Sequence, residues 1–301
     1  MFVFMINPTS GKGAAVAIWH EIEAILIEKK LPYEAHICVS SEITRAYINE
    51  TTAMHSITAF VVIGGDGTVS SVLQQLVDTN IPLAVFSAGS GNDVARNFSL
   101  VAEPKQFVEK LIHGETRSVD LLYVNGMYAM TVVGVGMDAQ IGIRADRSIY
   151  KRWLNKFNRG GDAYTIAAII ELLTFKPFYG KLFVDGNLVL QTDLWLIANG
   201  NVKMYGGGLT ICPLAQPDDG LIDVTVLHDA RRLKVLSKLF PELLKGEPLI
   251  ANEVTYFKGK EIIIEGQQTL PYVIDGEIFH SEKIHLSIRQ KALKLVVTSN
   301  I

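Results

Sequence analysis

The stretch of sequence that indicates the fold most directly reads Ile63-Gly64-Gly65-Asp66-Gly67-Thr68-Val69. It follows an apolar run, Ala59 to Ile63, that is typical of a strand covered on both faces. Glycines let the backbone turn sharply, and the N–H groups of such a turn and of the helix after it suit a phosphate. Asp66 makes sense beside phosphates if Mg²⁺ lies between them. An ordinary tight turn with a helix-capping aspartate explains the same residues, so the stretch alone leaves both interpretations open.

Two further glycine-bearing loops follow apolar strands. Asn7 to Gly13 comes after the strand Phe2–Ile6, and Ala88 to Asp93 comes after the strand Leu83–Phe86. The first of these loops lacks the spacing of a Walker A motif. Strands alternate here with helical patterns, one of them at Val69 to Val77, which predicts a parallel sheet with its ligand loops at the strand carboxyl ends. We therefore predict an α/β doubly wound nucleotide-binding domain over residues 1–120.

After Leu121 the pattern changes to short apolar runs separated by Asn-Gly and Asp-Gly turns, which favour hairpins. This predicts a C-terminal antiparallel β-sandwich domain over residues 121–289, with helical insertions near residues 163–173 and 233–244. A last strand near residues 290–301 is expected to return to the first domain. Among the runs interpreted as separate strands are Glu261–Glu265, Tyr272–Ile274, Ile284–Ile288 and Leu293–Val297.

The composition of the chain bears on its domain number, its partners and its location. The 301 residues suit two domains, and a formal net charge of −3 gives no argument for a nucleic-acid partner. Cys38 and Cys212 are expected to be reduced thiols, and no histidine has the spacing of a zinc ligand. The N-terminal apolar run has no basic flank, and no other apolar run is long enough to span a bilayer. We expect a cytoplasmic protein, with peripheral contact at the inner membrane face left open.

The loops together carry a resemblance to a known family. The ordered motifs are Asn7-Pro8-x-Ser10-Gly11, Gly64-Gly65-Asp66-Gly67-Thr68, Gly89-Ser90-Gly91-Asn92-Asp93-x-Ala95-Arg96 and Val119-Asp120. In this order and spacing the chain resembles the diacylglycerol kinase catalytic-domain family, which includes bacterial soluble lipid kinases and is similar to sphingosine kinases. The resemblance implies ATP as donor, Mg²⁺ as cofactor and a lipid hydroxyl as acceptor, with diacylglycerol, converted to phosphatidic acid, as the default.

The resemblance also implies which residues act. Those carried over to the nucleotide are Asn7, Pro8, Thr9, Ser10, Gly11, Ser40, Gly65, Asp66, Gly67, Thr68, Val69, Ser70, Ser71, Asn92 and Asp93. An acidic network of Asp66, Asp93 and Asp120 would hold the catalytic Mg²⁺, which makes Asp66 a catalytic residue as well. The family's usual Asn-Glu is replaced here by Ser70-Ser71, and that departure keeps a non-catalytic nucleotide- or lipid-binding regulator open as an alternative.

Two turns of the second half complete the implied site. In Asp275-Gly276-Glu277 one carboxylate would accept the proton of the acceptor hydroxyl; Glu277 is favoured over Asp275, and a hairpin with solvated acids is the alternative. At Asp218-Asp219-Gly220 the family's structural Mg²⁺ would bind Gln216, Asp219 and Leu221, the first and last through main-chain oxygen. A plain hairpin turn is the alternative there.

Two basic stretches, Arg144–Arg159 and Arg231–Lys245, carry apolar residues at helical spacing. Basic amphipathic helices lie on anionic membranes, but solvated helix faces have the same pattern. The partners we expect are thus a lipid acceptor at the membrane surface and no nucleic acid, with a homodimer left open. Another lipid acceptor, such as a sphingoid base or undecaprenol, is the alternative to diacylglycerol.

Overall fold

The computed structural model describes residues 1–147 and 169–297, with the side chains of residues 145–147 left aside. The chain divides into two compact units. One contains Met1–Leu121 and the residues from Gln290 onward, and the other contains Leu122–Arg289. Among the described residues, no helix is both long enough and apolar enough to cross a membrane.

The first unit alternates strands and helices. Its strands are β1 (Phe2–Ile6), β2 (Tyr33–Ile37), β3 (Ala59–Gly64), β4 (Leu83–Ser87) and the start of β5 (Thr116–Val124); its helices are α1 (Ala14–Glu28), α2 (Ser41–Met54), α3 (Asp66–Leu76), α4 (Asp93–Phe98) and α5 (Pro104–His113).

The sheet of this unit is parallel in the order β4-β3-β1-β2, and Leu295 adds a further parallel partner for β4 at Leu83. All of β1 and β3 is buried, which explains why both strands read as unbroken apolar runs. Because β1, β3 and β4 are neighbours, the loops at their carboxyl ends lie side by side. The predicted α/β class is confirmed.

Helix α3 begins earlier than the sequence indicated. We predicted a helix from Val69, whereas α3 begins at Asp66 and includes Gly67 and Thr68 in its first turn. Gly65 precedes it with extended backbone and no side-chain cap, and its carbonyl oxygen accepts hydrogen bonds from the N–H groups of Thr68 and Val69. The glycine-rich stretch is therefore a strand-to-helix junction with almost no loop.

The second unit is built of antiparallel strands. They are β6 (Met127–Ala129), β7 (Val132–Gly136), β8 (Phe178–Val184), β9 (Asn187–Gly200), β10 (Met204–Tyr205), β11 (Leu209–Thr210), β12 (Ile222–His228), β13 (Val254–Gly259), β14 (Glu261–Ile274) and the larger part of β15 (Glu277–Val296); helix α6 (Met137–Arg147) follows β7.

Two long strands shape this unit. β9 pairs with β8 through its first half and with β7 and β12 through its second, while β14 pairs with β8 first and with β7 last. Side chains such as Leu182, Ile197 and Ile264 fill the core. The predicted antiparallel, β-rich class is confirmed.

Strand lengths are the main correction. Glu261–Glu265 and Tyr272–Ile274 belong to one strand, β14, whose register against β15 shifts between Glu265 and Leu270. Likewise Ile284–Ile288 and Leu293–Val297 fall in β15, which ends at Val296. The pairing with β15 resumes at Leu270 after this irregularity, so one long strand stands where two short strands were predicted.

The helical insertions are partly described. Helical residues occupy 169–174, and helix spans Arg232–Leu243 with a π-helical middle at Val235–Leu239. The remainder of the predicted helix near residues 163–173, and most of the basic stretch Arg144–Arg159, lie outside the described residues.

Candidate active site

The three predicted loops meet at the carboxyl edge of the first unit's sheet. Ser10 Oγ accepts a hydrogen bond of 3.2 Å from Gly65 N, and Asn7 Nδ2 donates one of 2.9 Å to Thr68 Oγ1. A methyl group placed on Gly89 would stand 2.7 Å from Gly65 Cα. The loop after β4 and the junction after β3 therefore touch here through their backbones. Glycine is required at this crossing because a side chain would separate the loops.

The loop after β1 is fixed in the same way. A methyl group on Gly11 would lie 2.3 Å from the Ala88 carbonyl oxygen, and Gly11 has a φ of +58°. Thr9 donates from both N and Oγ1 to Asn7 Oδ1, which holds the loop in a tight turn. The result is a small surface lined by glycines, hydroxyls and backbone, which suits close approach by a phosphate chain.

Asp66 does not cap its own helix. Its Oδ2 accepts a hydrogen bond of 3.1 Å from Asp93 N, and its Oδ1 accepts another of 3.1 Å from Val94 N. Both oxygens therefore satisfy the first turn of α4, across from the β3 loop. The helix-capping interpretation is partly right, but the capped helix is the neighbouring one.

A second acid stands beside Asp66 at Gly91. A methyl group on Gly91 would lie 3.1 Å from Asp66 Oδ2 and 3.5 Å from Asp93 Oδ2, so both carboxylates face the space that glycine leaves open. Two carboxylate oxygens facing one small space are a donor set that Mg²⁺ prefers. Arg96 donates from Nε to the Gly91 carbonyl at 3.0 Å, which holds this loop from the outside. These residues fit a hard divalent cation.

Asp120 has a different setting. It is buried and accepts a hydrogen bond of 2.7 Å from Lys291 N, which ties β5 to the returning end of β15. In the described part of the chain, no group of three or more Asp, Glu, His or Cys side chains stands close enough to hold a metal. The predicted network of three carboxylates is therefore represented in the structure by the pair Asp66 and Asp93.

The other residues that were predicted to bind the nucleotide make different kinds of contact. Asn92 Oδ1 accepts from Gly89 N at 2.8 Å and shapes the β4 loop, whereas Ser40 accepts from Ile43 N and caps α2 after the edge strand β2. Ser70 is buried, and Ser71 donates to Gly67 O within α3. Ser70 and Ser71 replace the family's usual Asn-Glu. Ser70 packs inside the fold, and the Ser71 hydroxyl forms a hydrogen bond within its own helix.

In the second unit, the Asp275 carboxylate is held by three donors. They are Met130 N at 3.2 Å, Thr131 N at 3.3 Å and Thr131 Oγ1 at 2.6 Å. Glu277 begins β15 and is exposed. Of the Asp275 and Glu277 carboxylates, that of Asp275 is therefore the one that hydrogen bonds hold in place. Its partner Thr131 was missed from the sequence because the two lie far apart in the chain and only the fold joins them.

The second predicted metal site already holds a cation of the protein. Asp219 Oδ1 accepts a hydrogen bond of 3.0 Å from Leu221 N, and Asp219 Oδ2 lies 3.3 Å from Lys258 Nζ. An ammonium group and a metal ion on one carboxylate would repel each other. The residues predicted to bind metal at Gln216, Asp219 and Leu221 do not fit one, and no sequence pattern had indicated Lys258.

Comparison with known proteins decides the family. The family model described as the Diacylglycerol kinase catalytic domain matches residues 1–124, and the one described as the YegS C-terminal NAD kinase beta sandwich-like domain matches residues 131–297. The Diacylglycerol kinase of Mycobacterium tuberculosis (strain ATCC 25618 / H37Rv) is 36% identical over 267 residues, which cover 87% of this chain and 84% of that protein.

The chain belongs to the diacylglycerol kinase catalytic-domain family. Membership makes it an enzyme of the lipid-kinase class, and nucleotide use follows because a kinase takes its phosphoryl group from a nucleotide. The fold of this kinase recurs in solved structures. A diacylglycerol kinase from Bacillus anthracis str. Sterne superposes with a TM-score of 0.72 at 19% identity, covering 98% of this chain and 96% of that one.

A more distant structure shares the fold. The NAD kinase of Archaeoglobus fulgidus, solved in complex with ATP, gives a TM-score of 0.54 at 14% identity and covers 98% of this chain and 93% of that chain. At such identities the likeness shows the fold alone. The resemblance inferred from the ordered motifs of this kinase is confirmed.

Proposed function

We propose that this kinase transfers the γ-phosphoryl group of ATP to a lipid hydroxyl, with diacylglycerol as the first acceptor to test and phosphatidic acid as its product. The observation that carries the proposal is the meeting of three backbone-rich loops around Asp66 and Asp93 at one sheet edge. Phosphoryl transfer needs positioning and charge neutralisation more than covalent help. The loops of this edge would position the phosphates, and a Mg²⁺ ion held by Asp66 and Asp93 would neutralise their charge.

Each part of the edge has a role in the proposal. The loop Asn7–Gly11 and the start of α3, from Gly65 to Val69, hold the phosphates mainly by backbone N–H groups, while Ser70 and Ser71 support the helix itself. Asp66 and Asp93 hold Mg²⁺ beside Gly91, and the ion, when bound, neutralises charge on the transferring phosphate. Asp120 supports this arrangement by fixing β5 and is proposed as an outer contact, not a direct ligand.

The turn Asp275-Gly276-Glu277 supplies the base that accepts the acceptor's proton. We favour Asp275, because its carboxylate is oriented by Met130 and Thr131 whereas Glu277 is exposed. A base held within hydrogen-bond reach contributes about 10²–10⁴-fold to the rate. Asp275→Asn should therefore lower kcat by that factor with KM for ATP nearly unchanged, while Glu277→Gln should retain most activity. The reverse result would return the role to Glu277.

The deciding experiment removes the charge of Asp66. Purified Asp66→Asn protein, labelled ATP, Mg²⁺ and a panel of lipids (diacylglycerol, a sphingoid base and undecaprenol) are combined, and label in the organic phase is measured. We expect diacylglycerol to be labelled by the wild type, and the variant to lose at least about 10²-fold in activity. The variant should also lose about 1 kcal/mol of stability, because an α4 cap is weakened.

A matched control separates charge from capping. Asp185 Oδ1 also accepts from two backbone N–H groups, those of Lys260 and Glu261, but in the second unit. Asp185→Asn should lose similar stability and keep its activity. Wild-type activity in Asp66→Asn would sink the proposed site, and labelling of another lipid in place of diacylglycerol would change the acceptor. Nucleotide-dependent stabilisation without transfer to any lipid would favour the regulator.

We further propose that the lipid is reached at a membrane surface. The helix Arg232–Leu243 and the residues around it expose Leu233, Leu244 and Ile250 at 80%, 60% and 91%. Arg231, Lys238 and Lys245 are exposed in the same stretch. Apolar tips with basic neighbours suit an anionic lipid surface, and each basic residue near it contributes about 1 kcal/mol.

A further inference from the structure

The strand register brings a lysine and two aspartates together in the second unit. Asp223 on β12 stands directly opposite Lys258 on β13, and the two side chains form an ion pair of 3.2 Å. Directly opposed residues of antiparallel strands point to the same face, so this pairing is set by the backbone. The Asp223 side chain is 7% exposed, which makes its need for a positive partner strong.

A second element directs its oxygens at the same ammonium group. At the turn before β12, Asp219 folds back so that its Oδ1 accepts from Leu221 N, and its Oδ2 is left 3.3 Å from Lys258 Nζ. Lys258 Nζ also donates to the Leu214 carbonyl oxygen at 3.4 Å. Two carboxylates and one backbone carbonyl thus surround one nitrogen, which is an oxygen cluster of the kind that otherwise takes a hard cation.

The titration of these groups agrees with the geometry. Burial raises the pKa of Asp223, and the Lys258 ammonium opposes that rise. Burial also works against the charge of Lys258, but Asp223 and Asp219 outweigh it and raise the pKa of the lysine. The ammonium is therefore charged across the physiological range.

We propose that the Lys258 ammonium is the resident cation of the Asp219–Asp223–Leu214 oxygen cluster, so that this turn is held together without a divalent metal. The lysine reaches the cluster from a neighbouring strand and links the turn before β12 to β13, which is the mechanical role that a structural metal would have. Lys258 is accordingly a positioning residue for the second unit. The inference concerns stability and metal content, and it stands whatever lipid the kinase phosphorylates.

The test compares thermal unfolding with metal content. Wild-type protein, dialysed against chelator, should contain no stoichiometric divalent metal by elemental analysis. In the Asp66→Asn background, where the proposed Mg²⁺ site of the first unit is weakened, the Tm should be the same in chelator and in millimolar Mg²⁺ or Ca²⁺. Lys258→Met keeps the apolar stem and removes the charge; its Tm should fall by about 3–6 °C, and Mg²⁺ or Ca²⁺ should restore part of the loss. Lys258→Arg should recover most of the wild-type Tm.

A second lysine provides the matched control. Lys283→Met removes an ion pair of 3.1 Å to Glu265 in which both partners are more exposed, and it should change the Tm little and show no response to metal. Melts are run without nucleotide and repeated in an Asp66→Asn background, so cation binding at Asp66 and Asp93 does not contribute. A wild type that retains metal through dialysis and melts lower in chelator would overturn the proposal. So would a Lys258→Met protein as stable as the wild type, or a Lys258→Arg protein as unstable as Lys258→Met.

Discussion

At the scale of single residues, the acids of this molecule have different functions according to their partners. Asp66 is satisfied by two backbone N–H groups and still faces the open space at Gly91. Asp223 forms an ion pair with an ammonium group. Asp138 has neither kind of partner for its Oδ2, and a methyl group on Gly134 would fall 1.6 Å from that atom. Its carboxyl therefore lies directly on strand β7, where only glycine leaves room.

Asp138 should give stability a pH dependence of definite sign. Burial raises the pKa of its carboxyl from 3.8 to about 6, with a hydrogen bond from Tyr205 opposing the rise in part. As pH rises from about 4 to about 6 the unfolded chain releases this proton first, so the folded state loses up to about 3 kcal/mol of stability. Above about pH 6 the loss is complete and constant.

Urea unfolding of the wild type and Asp138→Asn at several pH values measures this contribution. Other carboxyl groups titrate in both proteins, so the informative quantity is the difference between their free energies of unfolding. The amide that replaces the carboxyl in the variant does not titrate, and the wild type should therefore lose stability relative to the variant between about pH 4 and pH 6. A difference that is the same at every pH would contradict the assigned burial of the carboxyl.

At the scale of helices and strands, prediction from sequence succeeded where one local rule acts alone. Fully buried β1 and β3 are recognisable as apolar runs, and glycines that backbone contacts require, such as Gly11 and Gly89, mark the loops of the site. This was enough to predict the parallel sheet and the loops that meet at its edge.

Elements that depend on distant partners were less predictable. Strand β14 continues through a bulge and Pro271 because neighbouring strands hold its two halves, and nothing within the segment itself indicates this. Just before α3 begins at Asp66, Gly65 N donates to Ser10 Oγ across the sheet edge, a contact with a residue far away in the sequence. Thr131 and Lys258 could not be found from sequence, because their partners Asp275 and Asp219 are joined to them only by strand pairing and packing.

At the scale of the whole molecule, the basic residues divide into those that hold the fold and those left for a partner. Arg144 pairs with the buried Glu171, and Arg232 donates to the Leu172 and Phe175 carbonyls while its guanidinium lies over Trp195. Lys234 pairs with Glu253. These cations are committed to structure, so the basic stretches predicted for a membrane contain fewer available charges than their sequences suggest.

Charge reversal at the exposed residues should therefore weaken membrane binding without loss of the fold. We expect Arg231→Glu/Lys238→Glu/Lys245→Glu to bind vesicles with anionic lipid at least about tenfold more weakly than the wild type, and high salt to weaken wild-type binding in the same direction. The matched control, Lys29→Glu/Lys30→Glu/Lys105→Glu, changes net charge equally at exposed lysines of the first unit and should bind as the wild type does.

Co-sedimentation measures the binding, and activity on diacylglycerol in neutral detergent micelles shows whether catalysis is intact. Equal loss in both triple variants would mean that net charge alone governs binding. No loss in the first would remove the helix Arg232–Leu243 and its flanks as the membrane contact.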